Sequence, residues 1–186
     1  MNSVSISIMS DCLKHDTVAV HAFLSQLMKY IKEMDSLKHI KQIYYFSDTR
    51  TVRISWILFC MKVTSDWNHW HFFGNSHGKS PCDGIGGTVK RLLASASLHA
   101  TEGNYILTSH QAFTWSSQNI SGIHFIHVSS ENIGEHAKLF KLEECYQELK
   151  TIPGARSHHS FVPVEDENLQ MKRLSRLVIR CQQLCL

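Results

Sequence analysis

The chain has 186 residues, 43% hydrophobic and 19% charged, with nine Gly and three Pro. That suits one ordinary domain, or one with a short appendage, whose core needs no staple, and it excludes disordered and collagen-like sequence. A formal charge of +3 is too mild to identify a nucleic-acid partner, and the longest apolar run, 56–61, is far short of the roughly 18–20 residues a membrane helix needs.

Residues 3–9 alternate so that Val4, Ile6 and Ile8 share one face, which predicts a short strand. Asp11 follows its carboxyl end. Asp16 can cap a helix in which Phe23, Leu27, Tyr30, Ile31 and Met34 recur at helical spacing. Residues 40–46 then read as a buried strand ending at Ser47 and Asp48. Strand, helix and strand predict a βαβ unit with parallel strands and a right-handed crossover, and functional groups in such sheets collect at the carboxyl ends of strands. Residues 52–63 fit neither period cleanly and lean towards helix. A short strand over 70–73 is followed by a loop. A helix starting near Asp83 then places Ile85, Val89, Leu92, Leu93 and Ala96 on one face. Three glycines in its first turn (84, 86 and 87) each cost roughly 1 kcal/mol relative to Ala, which suggests a close approach to that backbone. Thr108 can cap a short helix. Residues 123–128 form a strand, and Ser129 or Ser130 caps a helix running to about Lys150. Ile152-Pro153-Gly154 ends it, 160–164 is extended, and the tail from Asn168 places Lys172, Arg173, Arg176 and Arg180 among apolar residues. That tail suits an amphipathic helix binding something anionic, or a solvated terminal face.

The first ten residues lack the basic start and apolar stretch of a signal peptide. The chain is expected to be intracellular, with a nuclear location open to it, and its six cysteines reduced. Cys181 and Cys185, with His158 and His159 upstream, have permissible zinc spacing but no second Cys pair; buried small hydrophobes are the plainer reading. The loop 74–80 resembles a P-loop in position only. Gly74 and Gly78 have three residues between them instead of four, Phe73 stands where Gly is required, and Pro81 removes an N–H where the helix should begin.

The stronger candidate is carboxylate. Asp48 ends one strand and Asp83 opens the helix after the next, so both can project over one rim of a parallel sheet. Such carboxylates hold Mg²⁺ for phosphodiester chemistry, with His77 and Lys79 beside them to contact a phosphate or the metals' surroundings. The competing reading makes Asp83 an N-cap and Asp48 an ordinary strand-end residue.

Several stretches resemble a known group. These are Tyr45-Phe46-Ser47-Asp48, Trp70-His71-Phe72-Phe73, the block from Ser76-His77-Gly78-Lys79 through Asp83-Gly84-Ile85-Gly86-Gly87-Thr88 to Arg91, Thr151-Ile152-Pro153-Gly154 through His158-His159-Ser160-Phe161, and Ile8-Met9-Ser10-Asp11-Cys12. Together, over roughly 4–163, they resemble an uncharacterised family of mobile-element-derived animal proteins, mainly of invertebrates. The resemblance implies a ribonuclease H-like fold related to DDE-type transposases. The expected architecture is α/β: an incomplete ribonuclease H-like mixed sheet flanked by helices over 1–100, a smaller C-terminal αβ extension over 101–164, and a basic tail over 165–186. Residues 3–9 would then be the third strand of that fold, Asp48 its second acid and Asp83 its third. The first two strands and the first acid would lie before Met1. The helix after Asp48 also departs from the family, with Thr49-Arg50-Thr51-Val52-Arg53 in place of Gly and a small-residue stretch. A two-metal site lacking one ligand is poorly held. The resemblance therefore implies a truncated fragment impaired in Mg²⁺-dependent phosphodiester chemistry, with Asp48 and Asp83 as vestigial metal ligands. The alternatives are a non-enzymatic module binding DNA, RNA or protein, and a pseudogene product without selected function.

Overall fold

The computed structural model describes residues 4–14, 16–35, 37, 43–47, 68–72, 81–148, 152–163, 169–173 and 184–185. Among them the protein is a mixed α/β structure with five α-helices and two small sheets. Strand β1 (Ser5–Met9) leads into α1 (Thr17–Glu33). The Asp16 carboxylate accepts the Ala19 N–H at 3.0 Å, satisfying one of the orphan donors at the helix start as the sequence predicts. Strands β2 (Ile43–Ser47) and β3 (Asn68–Phe72) follow, then α2 (Pro81–Leu98) and α3 (Ser109–Asn119). After them come β4 (Ile123–His127), α4 (Ser130–Leu139) and α5 (Leu142–Glu148). Strands β5 (Ser160–Pro163), β6 (Leu169–Lys172) and β7 (Leu184–Cys185) complete the described elements. The predicted helix over 52–63 lies outside the described residues.

β1 pairs in parallel with β4, Ser5 opposite Ile123 and Met9 opposite His127. The second sheet has the order β6-β5-β3-β2-β7. β2 runs parallel to both β3 and β7, β5 is antiparallel to β3, and β6 is antiparallel to β5. The direct β1–β2 pairing expected of a βαβ unit is not found among the described residues; β4 is the partner β1 takes. Both sheets join strands from either side of residue 100.

The apolar face of α1 sets the packing. Its C-terminal half buries Leu24, Leu27, Met28 and Ile31 against Ile43 and Tyr45 of β2, Trp70 and Phe72 of β3, and Phe161 of β5. Burial of a large aliphatic side chain contributes about 1.5–3 kcal/mol. The N-terminal half packs Ala19 and Ala22 with Val128 and Ile133, the latter on α4. Ile8 and Ile126, directly opposed across β1 and β4, border both clusters. Tyr45 stacks on Trp70 with ring centroids 4.9 Å apart, and Phe72 meets Phe161 edge-on at 5.7 Å.

Four local expectations change. The helix expected from 130 to about 150 is two helices. Phe140 and Lys141 separate them, with Lys141 at φ 48°, so the chain turns and Leu142 is fully buried. The helix holding Asp83 starts two residues earlier, at Pro81, where a missing N–H costs nothing. Among the described residues, a Cβ on Gly84, Gly86 or Gly87 would meet no atom within 4 Å. The start of the expected tail helix is instead strand β6, and the tail after it lies outside the described residues apart from Arg173 and β7.

Thr108 and Gln111 form a reciprocal capping box on α3, and Ser129 and Asn132 do the same on α4. Thr108→Ala should lower unfolding free energy by about 1 kcal/mol and Phe161→Ala by about 3–5 kcal/mol, both read from denaturant melts.

Candidate functional site

β2 and β3 are parallel neighbours, and their last residues, Ser47 and Phe72, lie opposite one another. Two strand ends therefore share one rim of the five-stranded sheet. Asp48 is the next residue in the chain after β2, and the segment carrying His77 and Lys79 joins β3 to α2. Asp48, His77 and Lys79 lie outside the described residues. Asp83 lies in the first turn of α2 and is exposed; a carboxylate there is favoured by the helix dipole, which is a reason for an acid at this position without any metal. Magnesium needs several oxygen donors. Among the described residues, no group of three or more His, Cys, Asp or Glu is arranged to hold a metal ion. Of the proposed zinc residues, Cys181 is outside the described set.

The sheet face away from α1 has its own chemistry. Lys172, Ser160, His71 and Phe46 stand in successive register across β6, β5, β3 and β2. His71 is 2% exposed, and its ring lies against Phe46 at 5.1 Å and His69 at 6.1 Å. The Tyr44 ring stacks with His71 at 6.0 Å and lies tilted against His69 at 4.9 Å. Burial, aided by the charges of His69 and Lys172, pushes the His71 imidazole down to about 4. His69 is also lowered, by burial first and by Lys172 second. This row is aromatic, neutral and closed at one end by a cation.

A second histidine pair joins α1 to α4. His21, 1% exposed, has its Nδ1 at 2.7 Å from His136 Nε2, and Phe140 packs on both rings. Desolvation, with a smaller contribution from His136, pushes His21 down to about 4; desolvation also lowers His136. Two imidazoles at this distance share one proton between them, and a further proton there would set two N–H donors face to face and leave a cation inside the fold.

The carboxyl rim of β1 and β4 gathers further polar groups. The Asp11 carboxylate accepts the Ser130 N–H at 2.7 Å, at the N-terminus of α4. That hydrogen bond holds the Asp11 carboxyl below its usual value, with a minor contribution from His127. His127 ends β4, and its Nε2 lies 3.1 Å from Ser109 Oγ at the start of α3. The ring of His110 packs edge-on to His127 at 5.3 Å. Sequence reasoning placed Asp11 at a strand end but missed Ser109 and His127. The signal was there: a Thr108 cap makes Ser109 the first helical residue, and His127 closes a predicted strand. What the sequence lacks is the β1–β4 pairing that brings the two together.

A family model described as "Domain of unknown function (DUF8701)" matches residues 1–175. No curated protein and no solved structure matches the chain. No described helix is long and apolar enough to cross a membrane.

His21 and His71 have folded-state values near 4, below the ordinary 6.5. The unfolded chain therefore binds more protons between these limits, so stability is fully present above about pH 6.5 and is lost as pH falls towards 4. Denaturant melts at pH 7.5 and pH 5 should show this loss, and His71→Phe should shrink it.

Proposed function

The chain belongs to the DUF8701 family, and from that premise we propose that it is a mobile-element-derived, ribonuclease H-like protein impaired in metal-dependent phosphodiester chemistry. The observation that carries this reading is the parallel β2–β3 pair ending level at Ser47 and Phe72. An acid directly after one strand and an acid on the helix following the other suit the carboxylate rim of a nuclease of that kind. The block from His77 to Thr88 supports the mobile-element origin by resemblance. Impairment is our reading of the donors in hand: by resemblance Asp48 and Asp83 match two acids of the pattern, and two carboxylates by themselves hold a pair of Mg²⁺ ions poorly.

The row ending in Lys172 favours a second reading, a non-enzymatic nucleic-acid-binding module on the same scaffold. Lys172 and the exposed Arg173 supply cations beside the sheet, and cation–phosphate contacts carry most non-specific affinity.

Purified protein is to be titrated with labelled single- and double-stranded oligonucleotides, then incubated with them in Mg²⁺ or Mn²⁺. Cleavage at background level, unchanged by Asp48→Ala, is the expected result. Clear Mg²⁺-dependent cleavage that Asp48→Ala abolishes would overturn the impairment. For the binding module, affinity should fall roughly tenfold between 50 and 200 mM salt, as about two neutralised phosphates require. No binding at 50 mM salt removes that reading.

A further inference from the structure

We propose that Ser109 and His127 form a nucleophile–base pair able to hydrolyse carboxylic esters of apolar acyl groups, at the carboxyl rim of β1 and β4 and separate from the β2–β3 rim. The geometry starts with the strands. Parallel pairing sets Met9 of β1 opposite His127 of β4, so both chains leave the sheet at the same rim. Gly122, at φ 79°, turns the chain out of α3 into β4. This returns β4 alongside α3 and brings His127 Nε2 to 3.1 Å from Ser109 Oγ. That is hydrogen-bond reach for a general base and its nucleophile. Both side chains are half-buried, so the pair is ordered yet reachable from solvent.

The start of α3 supplies the second requirement, donors for the developing oxyanion. Its capping box occupies three N–H groups: Leu107 and Thr108 donate to Gln111 Oε1, and Gln111 donates to Thr108 Oγ1. Ala112 N–H is taken by the Thr108 carbonyl. The N–H groups of Ser109 and His110 have no partner among the described residues. They open the first turn, beside the Ser109 nucleophile, at the positive end of the helix dipole.

Charge and apolar surface choose the substrate. Asp11 is exposed on the same rim, and its charge interacts favourably with that of His127. A carboxylate there assists an imidazolium forming on His127 and repels a dianionic phosphate group. Leu13, two residues after Asp11, is 92% exposed, and Leu107, two residues before Ser109, is 81% exposed. The segments flanking the pair thus present apolar side chains that suit a neutral acyl chain.

The step balances within the pair. Ser109 Oγ adds to the ester carbonyl carbon while its proton passes to His127 Nε2, in the tautomer that carries hydrogen on Nδ1. The bond from the carbonyl carbon to the alkoxy oxygen breaks, and the leaving alcohol takes the proton from His127. Water then gives a proton to His127 Nε2 as it adds to the acyl-serine. The carbon–Oγ bond breaks, Ser109 recovers the proton, and a carboxylic acid leaves.

The test uses the full chain at pH 8 with a fluorophosphonate probe and p-nitrophenyl butyrate. Mass spectrometry of the digested protein should find the probe on Ser109, and ester hydrolysis should exceed the buffer rate. His127→Gln should slow labelling by about 10²-fold, the usual contribution of a positioned general base. Ser109→Ala should abolish both labelling and hydrolysis, with a circular dichroism spectrum matching the wild type. Wild-type protein that takes no label at Ser109, or is labelled there at the same rate after His127→Gln, overturns the proposal. The wild-type outcome alone decides it if a variant fails to fold. Oligonucleotide cleavage is read on the same sample: labelling at Ser109 without Mg²⁺-dependent cleavage separates this pair from the nuclease-like reading.

Discussion

One amphipathic helix holds the two sheets in place. α1 presents Leu24, Leu27, Met28 and Ile31 to the five-stranded sheet and Ala19 and Ala22 to α4 and the end of β4. The residue sizes follow from the partners. Large side chains fill the space above the ring surfaces of Tyr45, Trp70 and Phe161. Alanines let α4 approach closely enough for His21 and His136 to meet. Each candidate rim is positioned through this packing: β2 and β3 lean directly on α1, and β1–β4 is anchored by Ile8 and Ile126, which border both clusters.

The buried histidines are the cost of this arrangement. An apolar interior penalises a charged imidazole, so His21 and His71 are held neutral, each packed against ring neighbours. The protein thus joins a histidine-rich composition to a core that tolerates those side chains only uncharged. His110 and His127, at the β1–β4 rim, are exposed and half-buried respectively, outside that interior.

Local signals in the sequence were readable where short-range physics decides. The Asp16, Thr108 and Ser129 caps bond to backbone N–H groups three residues on, and all three form as expected. Alternation placed β1, and apolar runs placed β2, β3 and β4, within a few residues. Long-range pairing was not readable. Nothing local in Val4, Ile6 and Ile8 says that β4 is their partner, because β-pairing is chosen by tertiary packing. The break at Phe140 and Lys141 was equally hidden, since the apolar periodicity continues through it and only the burial of Leu142 calls for the turn. Of the rim proposed for the carboxylates, the parallel course of β2 and β3 was legible; Asp83 sits inside the first turn of its helix, not before it.

The pairing of β1 with β4 has a kinetic consequence. Ser5 and Ile123 are far apart in the chain yet adjacent in the sheet, and such contacts form slowly because a long loop must close before they reward it. A chain emerging from the ribosome exposes β1 well before its partner strand, which begins at Ile123, is made. At about 5–20 residues per second, that strand edge waits several seconds without its mate. During that interval it is open to pairing with other nascent chains, so the yield of native protein depends on what shields this first strand during translation.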